Sequence, residues 1–105
     1  MVARVTLAEI DAVRTSVERA VERFEETVVP ELREERGYEG CYVLTTPEGK
    51  AVVLTFWSDD EAAADSIASG SYAAQVEKFA TIMRAAPGRD TYDVSIAEAP
   101  RGAIA

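Results

Sequence analysis

Three aromatic side chains are the best candidates in this sequence for holding a small aromatic molecule. Tyr42 and Tyr72 carry hydroxyls that can hydrogen-bond the oxygen of a phenol or quinone. Trp57 stands at the end of a predicted strand, where an indole ring can form one wall of a pocket. Each also has a purely structural interpretation, which is the more common one. Buried tyrosines usually bond to protein groups, and a strand-end tryptophan can pack at an interface between sheets.

Missing residue types narrow the chemistry further. The chain has no histidine and no asparagine, so it lacks the usual general base at neutral pH, the usual haem ligand and the commonest zinc ligand. Ser-His-Asp and Cys-His catalysis are excluded. The acidic run Asp59–Glu61 matches a helix start, where the helix dipole favours negative charge, and is not interpreted as a metal site. Neither a metal nor a cofactor is predicted.

Length and charge exclude several classes of partner. The chain of 105 residues is expected to form one domain over residues 1–105. Its net charge of −8 opposes binding to nucleic acid and to anionic lipid. No segment approaches the roughly 20 apolar residues of a membrane span, and the first residues do not resemble a signal peptide. Cys41 is the only cysteine and is interpreted as a small buried hydrophobe. A cytoplasmic location is therefore expected.

Strands and helices alternate in a recognisable order. Alternation predicts a first strand over 2–10, and a helix follows, capped by Thr15 or started earlier by Asp11. Pro30 is expected to kink or restart this helix, and Gly37 to end it. Ser58 and Glu61 form a second capping box before a helix that Gly70 interrupts. The restarted helix carries an apolar stripe of Tyr72, Val76, Phe79 and Met83, and a last strand is predicted over 91–99.

The segment 37–60 predicts a β-hairpin that is apolar on both faces. A type I turn with Pro47 first and Gly49 in the left-handed position pairs Thr46 with Lys50. The bulkier face, expected beneath the helices, carries Tyr38, Gly40, Tyr42, Leu44, Val52, Leu54 and Phe56. The other face, expected to meet a partner subunit, carries Glu39, Cys41, Val43, Thr45, Ala51, Val53, Thr55 and Trp57.

This order of elements is β-α-β-β-α-β, which predicts an α+β, ferredoxin-like antiparallel sheet with its helices on one face. The third strand should lie near the centre of the sheet, so half of its apolar side chains face away from the helices. A second sheet from an identical subunit is the simplest cover for them. We therefore predict a homodimer formed by sheet-to-sheet packing.

Two stretches carry a family resemblance. They are FEETVVPELREERGYEGCYVL, where a helix with a late proline enters a Gly-aromatic-x-Gly strand, and AVVLTFWSDDEA, where a strand ends in Trp before an acidic helix start. With them the chain, over 3–98, resembles the dimeric α+β barrel superfamily and its antibiotic-biosynthesis-monooxygenase-like domains. The resemblance implies a cofactor-independent monooxygenase acting on polyketides or quinols, or a haem degrader. The haem-degrading pattern requires an Asn, a second Trp and a His, and the second Trp and the His would fall near Ser66 and Val76. Because the chain has one Trp, no Asn and no His, haem degradation is rejected.

Two functional hypotheses follow from the residues and the resemblance. One is a cofactor-free monooxygenase for a small aromatic, polyketide or quinol substrate. The other is a non-enzymatic domain that binds a small hydrophobic ligand or only dimerises. An apolar cavity of about 300 Å³ or more would favour ligand chemistry over a filled core. The residues expected to line such a cavity are Phe24, Tyr42, Phe56, Trp57, Tyr72, Phe79 and Met83.

Overall fold

Helices and strands follow the predicted order, with each of the two helical regions divided in two. The computed structural model describes residues 1–102. Over that range the elements are β1 (Val2–Glu9), α1 (Val17–Thr27), α2 (Val29–Arg33), β2 (Tyr38–Thr45), β3 (Lys50–Trp57), α3 (Asp60–Ala68), α4 (Ser71–Glu77) and β4 (Gly88–Asp93). None of the helices in this range is long and apolar enough to cross a membrane.

The four described strands form one antiparallel sheet in the order β2-β3-β1-β4. The central strands β1 and β3 pair along their whole length, from Val2 opposite Trp57 to Glu9 opposite Lys50. The helices cover one face of this sheet. The predicted α+β, ferredoxin-like fold with β3 near the centre is confirmed.

The hairpin register follows from its turn, as predicted. The amide of Thr46 donates to the carbonyl of Lys50 at 3.0 Å, and Gly49 has a φ of 101°, a left-handed conformation that favours glycine. Tyr42 lies opposite Leu54, in the predicted register. A bulge between Tyr38 and Gly40 then shifts the pairing by one residue. Tyr38 therefore lies opposite Trp57, and both lie on the helix side, as predicted for Tyr38 and contrary to the prediction for Trp57.

The assignment of the two hairpin faces was wrong. Apart from Tyr38, the face beneath the helices carries Val43, Ala51, Val53 and Thr55. The residues that point away from the helices are Tyr42, Leu44, Val52, Leu54 and Phe56. Bulk was a poor guide because the helices supply their own large side chains. Small and β-branched residues on the sheet leave room for them.

The residues that cap the helix starts differ from the predicted ones by one position. Ser16, not Thr15, caps α1 by accepting from the amide of Arg19 at 3.1 Å. Asp59, not Ser58, caps α3 by accepting from the amide of Ala62 at 2.8 Å. Pro30 starts the separate helix α2, which confirms its predicted effect.

The second helical region and the last strand end earlier than predicted. Helix α4 stops at Glu77, and residues 78–87 continue as turns and bends to β4. Strand β4 spans 88–93 and not 91–99, because it pairs only with the edge of β1 between Val2 and Leu7.

One end of the sheet is closed by a dense core around Trp57. This ring is fully buried against Val2, Val28, Leu32 and two alanines of α3. Gly37 meets α3 at the same place, with a φ of 80° and no room for a side chain against Ala62. The neighbouring space between the helices and the sheet is less completely filled.

Candidate ligand-binding cavity

An apolar cavity lies between the helices and the sheet, next to the Trp57 core. Its volume is about 110 Å³, and it is partly open. Strands β1, β2 and β3 form its floor, while α1, α2, α4 and the segment 78–87 form its walls and roof. A dry apolar cavity of about 150 Å³ holds one benzene molecule, so this cavity has the scale of a single small ring. It is smaller than the roughly 300 Å³ expected of a site for a larger ligand.

Four of the seven predicted pocket residues lie on the cavity wall: Phe24, Tyr72, Phe79 and Met83. The rings of Phe24 and Phe79 lean on each other across the two helical regions, with centroids 6.1 Å apart. The pocket residues that were predicted on the helices, from their helical spacing, therefore do lie together on the cavity wall.

The remaining three predicted residues lie elsewhere. Tyr42 and Phe56 pack edge to face on the opposite side of the sheet, with ring centroids 5.9 Å apart. They cannot reach the cavity, because alternate side chains of a strand point to opposite faces. Trp57 lies on the helix side, in contradiction to the partner-facing position predicted for it. Its ring is enclosed by the core and its indole N–H donates to Thr55 Oγ1 at 3.0 Å.

The polar end of the cavity is built by β1 and α4. Thr6 Oγ1 and the Tyr72 hydroxyl lie 3.2 Å apart in a buried hydrogen bond that joins the sheet to the helix. Gln75, one turn further along α4, also lines the cavity and donates from Nε2 to Glu35 Oε2 at 3.3 Å. A ring entering the cavity would thus meet buried polar groups at this end, whereas Thr45 at the other end is exposed.

Arg4 is the main feature of this end, and the sequence interpretation missed it. Its side chain is 2% exposed, and its guanidinium carbon lies 4.9 Å from the Trp57 ring centroid and 4.7 Å from that of Tyr72. Burial lowers the pKa of Arg4 below its ordinary value. One signal could have identified it. Arg4 and Val5 point to opposite faces of a central strand, and since one face of that strand is covered by helices and the other is apolar, neither offers Arg4 a polar, solvated surface.

Titratable groups on the cavity wall are few. Among the residues described as lining it, Arg4 and Tyr72 alone carry an ionisable group. No cluster of acidic, cysteine or histidine side chains suited to a metal ion occurs within residues 1–102. The wall can therefore orient a molecule and stabilise negative charge, but it offers no carboxylate or imidazole to remove a proton.

Comparison with known proteins defines the family. The sequence profile described as "Antibiotic biosynthesis monooxygenase" matches residues 4–78. The chain belongs to this family. Among curated proteins, no sequence matches it.

Solved structures share the fold at low sequence identity. A protein of unknown function from Nitrosomonas europaea has a TM-score of 0.72 at 20% identity, covering 96% of this chain and 95% of that one. The cofactor-independent oxygenase SnoaB from Streptomyces nogalater, as its N63A mutant, has a TM-score of 0.72 at 10% identity, covering 91% and 94%. Such identities establish a common fold and leave the activity of this chain open.

The rejection of haem degradation was wrong. The haem degrader MhuD from Mycobacterium tuberculosis, solved with two haems in its active site, matches with a TM-score of 0.72 at 19% identity, covering 94% of this chain and all of that one. Haem-degrading chemistry therefore occurs on this fold. The missing histidine and asparagine do not exclude it, since a family can perform related chemistry with different side chains.

Proposed function

We propose that this protein binds a small, electron-rich aromatic molecule in the cavity and oxygenates it without a cofactor. The apolar cavity with polar groups at one end is the observation that carries the proposal. Apolar walls around a few convergent polar groups are the usual anatomy of a small-molecule site. The family assignment and the fold shared with a cofactor-independent oxygenase support the reaction class.

Such a reaction draws all its electrons from the substrate. A phenol loses its hydroxyl proton, which places negative charge on an unsubstituted ring carbon ortho or para to the oxygen, and that carbon adds to dioxygen to form a peroxide anion. Protonation gives a hydroperoxide, which loses water and leaves a carbonyl group on the same carbon. The absence of a base from the described cavity wall requires a substrate acidic enough to ionise without one.

Oxygen consumption tests this reaction. With a panel of hydroquinones and cyclic phenols, we expect one molecule of dioxygen consumed per carbonyl formed, with no added cofactor. Val53→Phe should block turnover because it fills the cavity floor, whereas Val13→Phe adds the same ring at an exposed loop residue and should not. Turnover unaffected by Val53→Phe would place the chemistry elsewhere.

Binding without turnover is the second candidate function. The cavity's small volume and its lack of a base favour it over catalysis for ligands that do not ionise. Calorimetry would then show binding of the same panel while an oxygen electrode shows no uptake. Val53→Phe should abolish that binding as well.

We also propose that the outer face of the sheet forms a homodimer interface. Leu7 and Leu44 are 57% and 53% exposed on this face, beside Tyr42, Leu54 and Phe56. A continuous apolar patch of this kind is uncommon on a monomer. Leu54→Glu should halve the mass measured by light scattering, because it places a charge at the centre of the patch. A matched charge in Val13→Glu, at a loop residue 90% exposed, should leave the mass unchanged.

A further inference from the structure

Arg4 occupies an unusual position for a charged residue. It lies on the central strand β1, on the face that forms the cavity floor, and is enclosed by the rings of Trp57 and Tyr72. Ring faces attract a cation, but they cannot accept the strong, directional hydrogen bonds that a guanidinium makes. The two rings therefore leave the guanidinium N–H groups to find other acceptors.

Those acceptors are lacking in the described part of the chain. Nε and Nη1 of Arg4 are buried without a hydrogen-bond partner. Glu35 is the carboxylate whose charge acts on Arg4, but its Oε2 accepts from Gln75 and its Oε1 has no partner. No ion pair between Arg4 and an acidic side chain occurs among residues 1–102. A buried charge left without a partner destabilises a fold, and the groups that retain one are commonly functional.

A second cation, on an exposed residue, lies near this end of the cavity. The guanidinium carbon of Arg89, on the neighbouring strand β4, lies 4.8 Å from the Tyr72 ring centroid. Two guanidinium groups thus lie 4.7 Å and 4.8 Å from the Tyr72 ring centroid, in a chain whose net charge is −8. Like charges brought together in an acidic protein favour an anion at that place.

We propose that Arg4 is the anion-recognition residue of the cavity and that the ligand is a single aromatic ring bearing an oxyanion. The carboxylate or phenolate oxygen meets the Arg4 guanidinium, while the ring fills the apolar space beside Phe24 and Phe79. This inference rests on the proposed function, because it assumes that the cavity is the ligand site. Beyond the proposed function, this inference specifies that the ligand is negatively charged and that its oxyanion points toward β1. It also explains how a substrate ionises on a wall without a base, since a guanidinium stabilises the anion directly.

Matched anionic and neutral probes test the charge. Benzoate and benzamide have nearly the same shape, and quenching of Trp57, the single tryptophan, reports binding of either. We expect the wild-type protein to bind benzoate at least about tenfold more tightly than benzamide. Arg4→Met should remove this preference, whereas Arg19→Met, which deletes the same charge from an exposed helical residue, should retain it. Equal binding of the two probes by wild type, no benzoate binding at millimolar concentration, or a preference retained in Arg4→Met would overturn the inference.

A second measurement does not depend on any Arg4 variant being folded. 4-Nitrophenol changes its absorption when it ionises, so its bound ionisation can be read directly in the wild-type protein. We expect its pKa to fall on binding, and an unchanged or raised value would contradict an anion site. The phenolate and carboxylate probes together show which oxyanion is preferred.

The Val53→Phe variant separates failure of this inference from failure of the proposed function. If both benzoate and benzamide bind equally and both are lost in Val53→Phe, the cavity is the site and the role of Arg4 is refuted. If Val53→Phe leaves binding of both unchanged, the cavity is not the site and both proposals are refuted.

Discussion

Replacing Arg4 with methionine should make the protein more stable while removing anion recognition. Methionine keeps an unbranched apolar stem between the two rings, and its sulfur interacts favourably with aromatic groups. The substitution removes a guanidinium whose Nε and Nη1 lack acceptors in a site only 2% exposed. Stability and recognition therefore change in opposite directions at one residue.

Opposing terms set the magnitude. The substitution removes two cation–ring interactions of Arg4, each of which stabilises the fold by about 0.5–2 kcal/mol. Methionine replaces them in part, with about 0.3–1.5 kcal/mol for each sulfur–aromatic interaction. Removing the burial penalty of an unpaired ion returns several kcal/mol, and replacing buried ionic groups with apolar ones of similar volume has stabilised other proteins by roughly 1–4 kcal/mol. We expect a net gain of about 1–3 kcal/mol in the free energy of unfolding, or roughly 5–15 °C in Tm.

Thermal unfolding followed by far-UV circular dichroism measures this gain. Wild type, Arg4→Met and Arg19→Met are compared at one protein concentration, because a dimer's Tm depends on concentration. Arg19→Met should move Tm little, since Arg19 is exposed. A lower Tm for Arg4→Met would refute the reasoning, because the two cation–ring interactions would then outweigh the burial penalty and Arg4 would be a structural residue.

Three further perturbations test the fold around the cavity. Burial raises the pKa of Tyr38 above 10.0, so the folded state holds this proton more tightly, and stability is full below about pH 10 and falls above it. Urea unfolding at about pH 8 and pH 11 measures the loss of stability between these two pH values. This loss should be smaller in Tyr38→Phe than in wild type, and an equal loss would contradict the prediction. Gly70→Ala should lower the free energy of unfolding by roughly 1–2 kcal/mol, and Gly37→Ala should lower it clearly more. Both glycines have a positive φ, but of the two only Gly37 would bring an added side chain against neighbouring atoms. Equal losses would rule out the clash. Asp59→Ala should cost about 1 kcal/mol through loss of the α3 cap, whereas Asp59→Asn should cost little.

Much of the fold could be predicted because it depends on local chemistry. The Pro47–Gly49 turn sets the hairpin register, and Pro30 restarts a helix for reasons contained within a few residues. Helix caps were displaced by one residue, because two residues that can cap stand next to each other at both starts, Thr15 and Ser16 at one and Ser58 and Asp59 at the other.

The cavity was harder to predict because it depends on which face of the sheet the helices cover. Alternation sorts side chains into two sets but does not say which set lies beneath the helices. The aromatic residues of the helices were found through their spacing, whereas Tyr42 and Phe56 were placed on the wrong side with the rest of their face. Arg4 was missed because a charged residue that alternates with apolar ones ordinarily faces solvent.

The eight residues of strand β3 form two separate sets of side chains, one on each face of the sheet. Ala51, Val53 and Thr55 determine the shape of the cavity floor, while Val52 and Leu54 determine the outer surface. Substitutions in one set leave the other untouched, so ligand preference and surface chemistry can diverge separately among descendants of this chain. A single-residue insertion in the strand would exchange the two sets and alter both properties at once. Substitution can therefore change one property of this strand at a time, whereas a change in its length changes both.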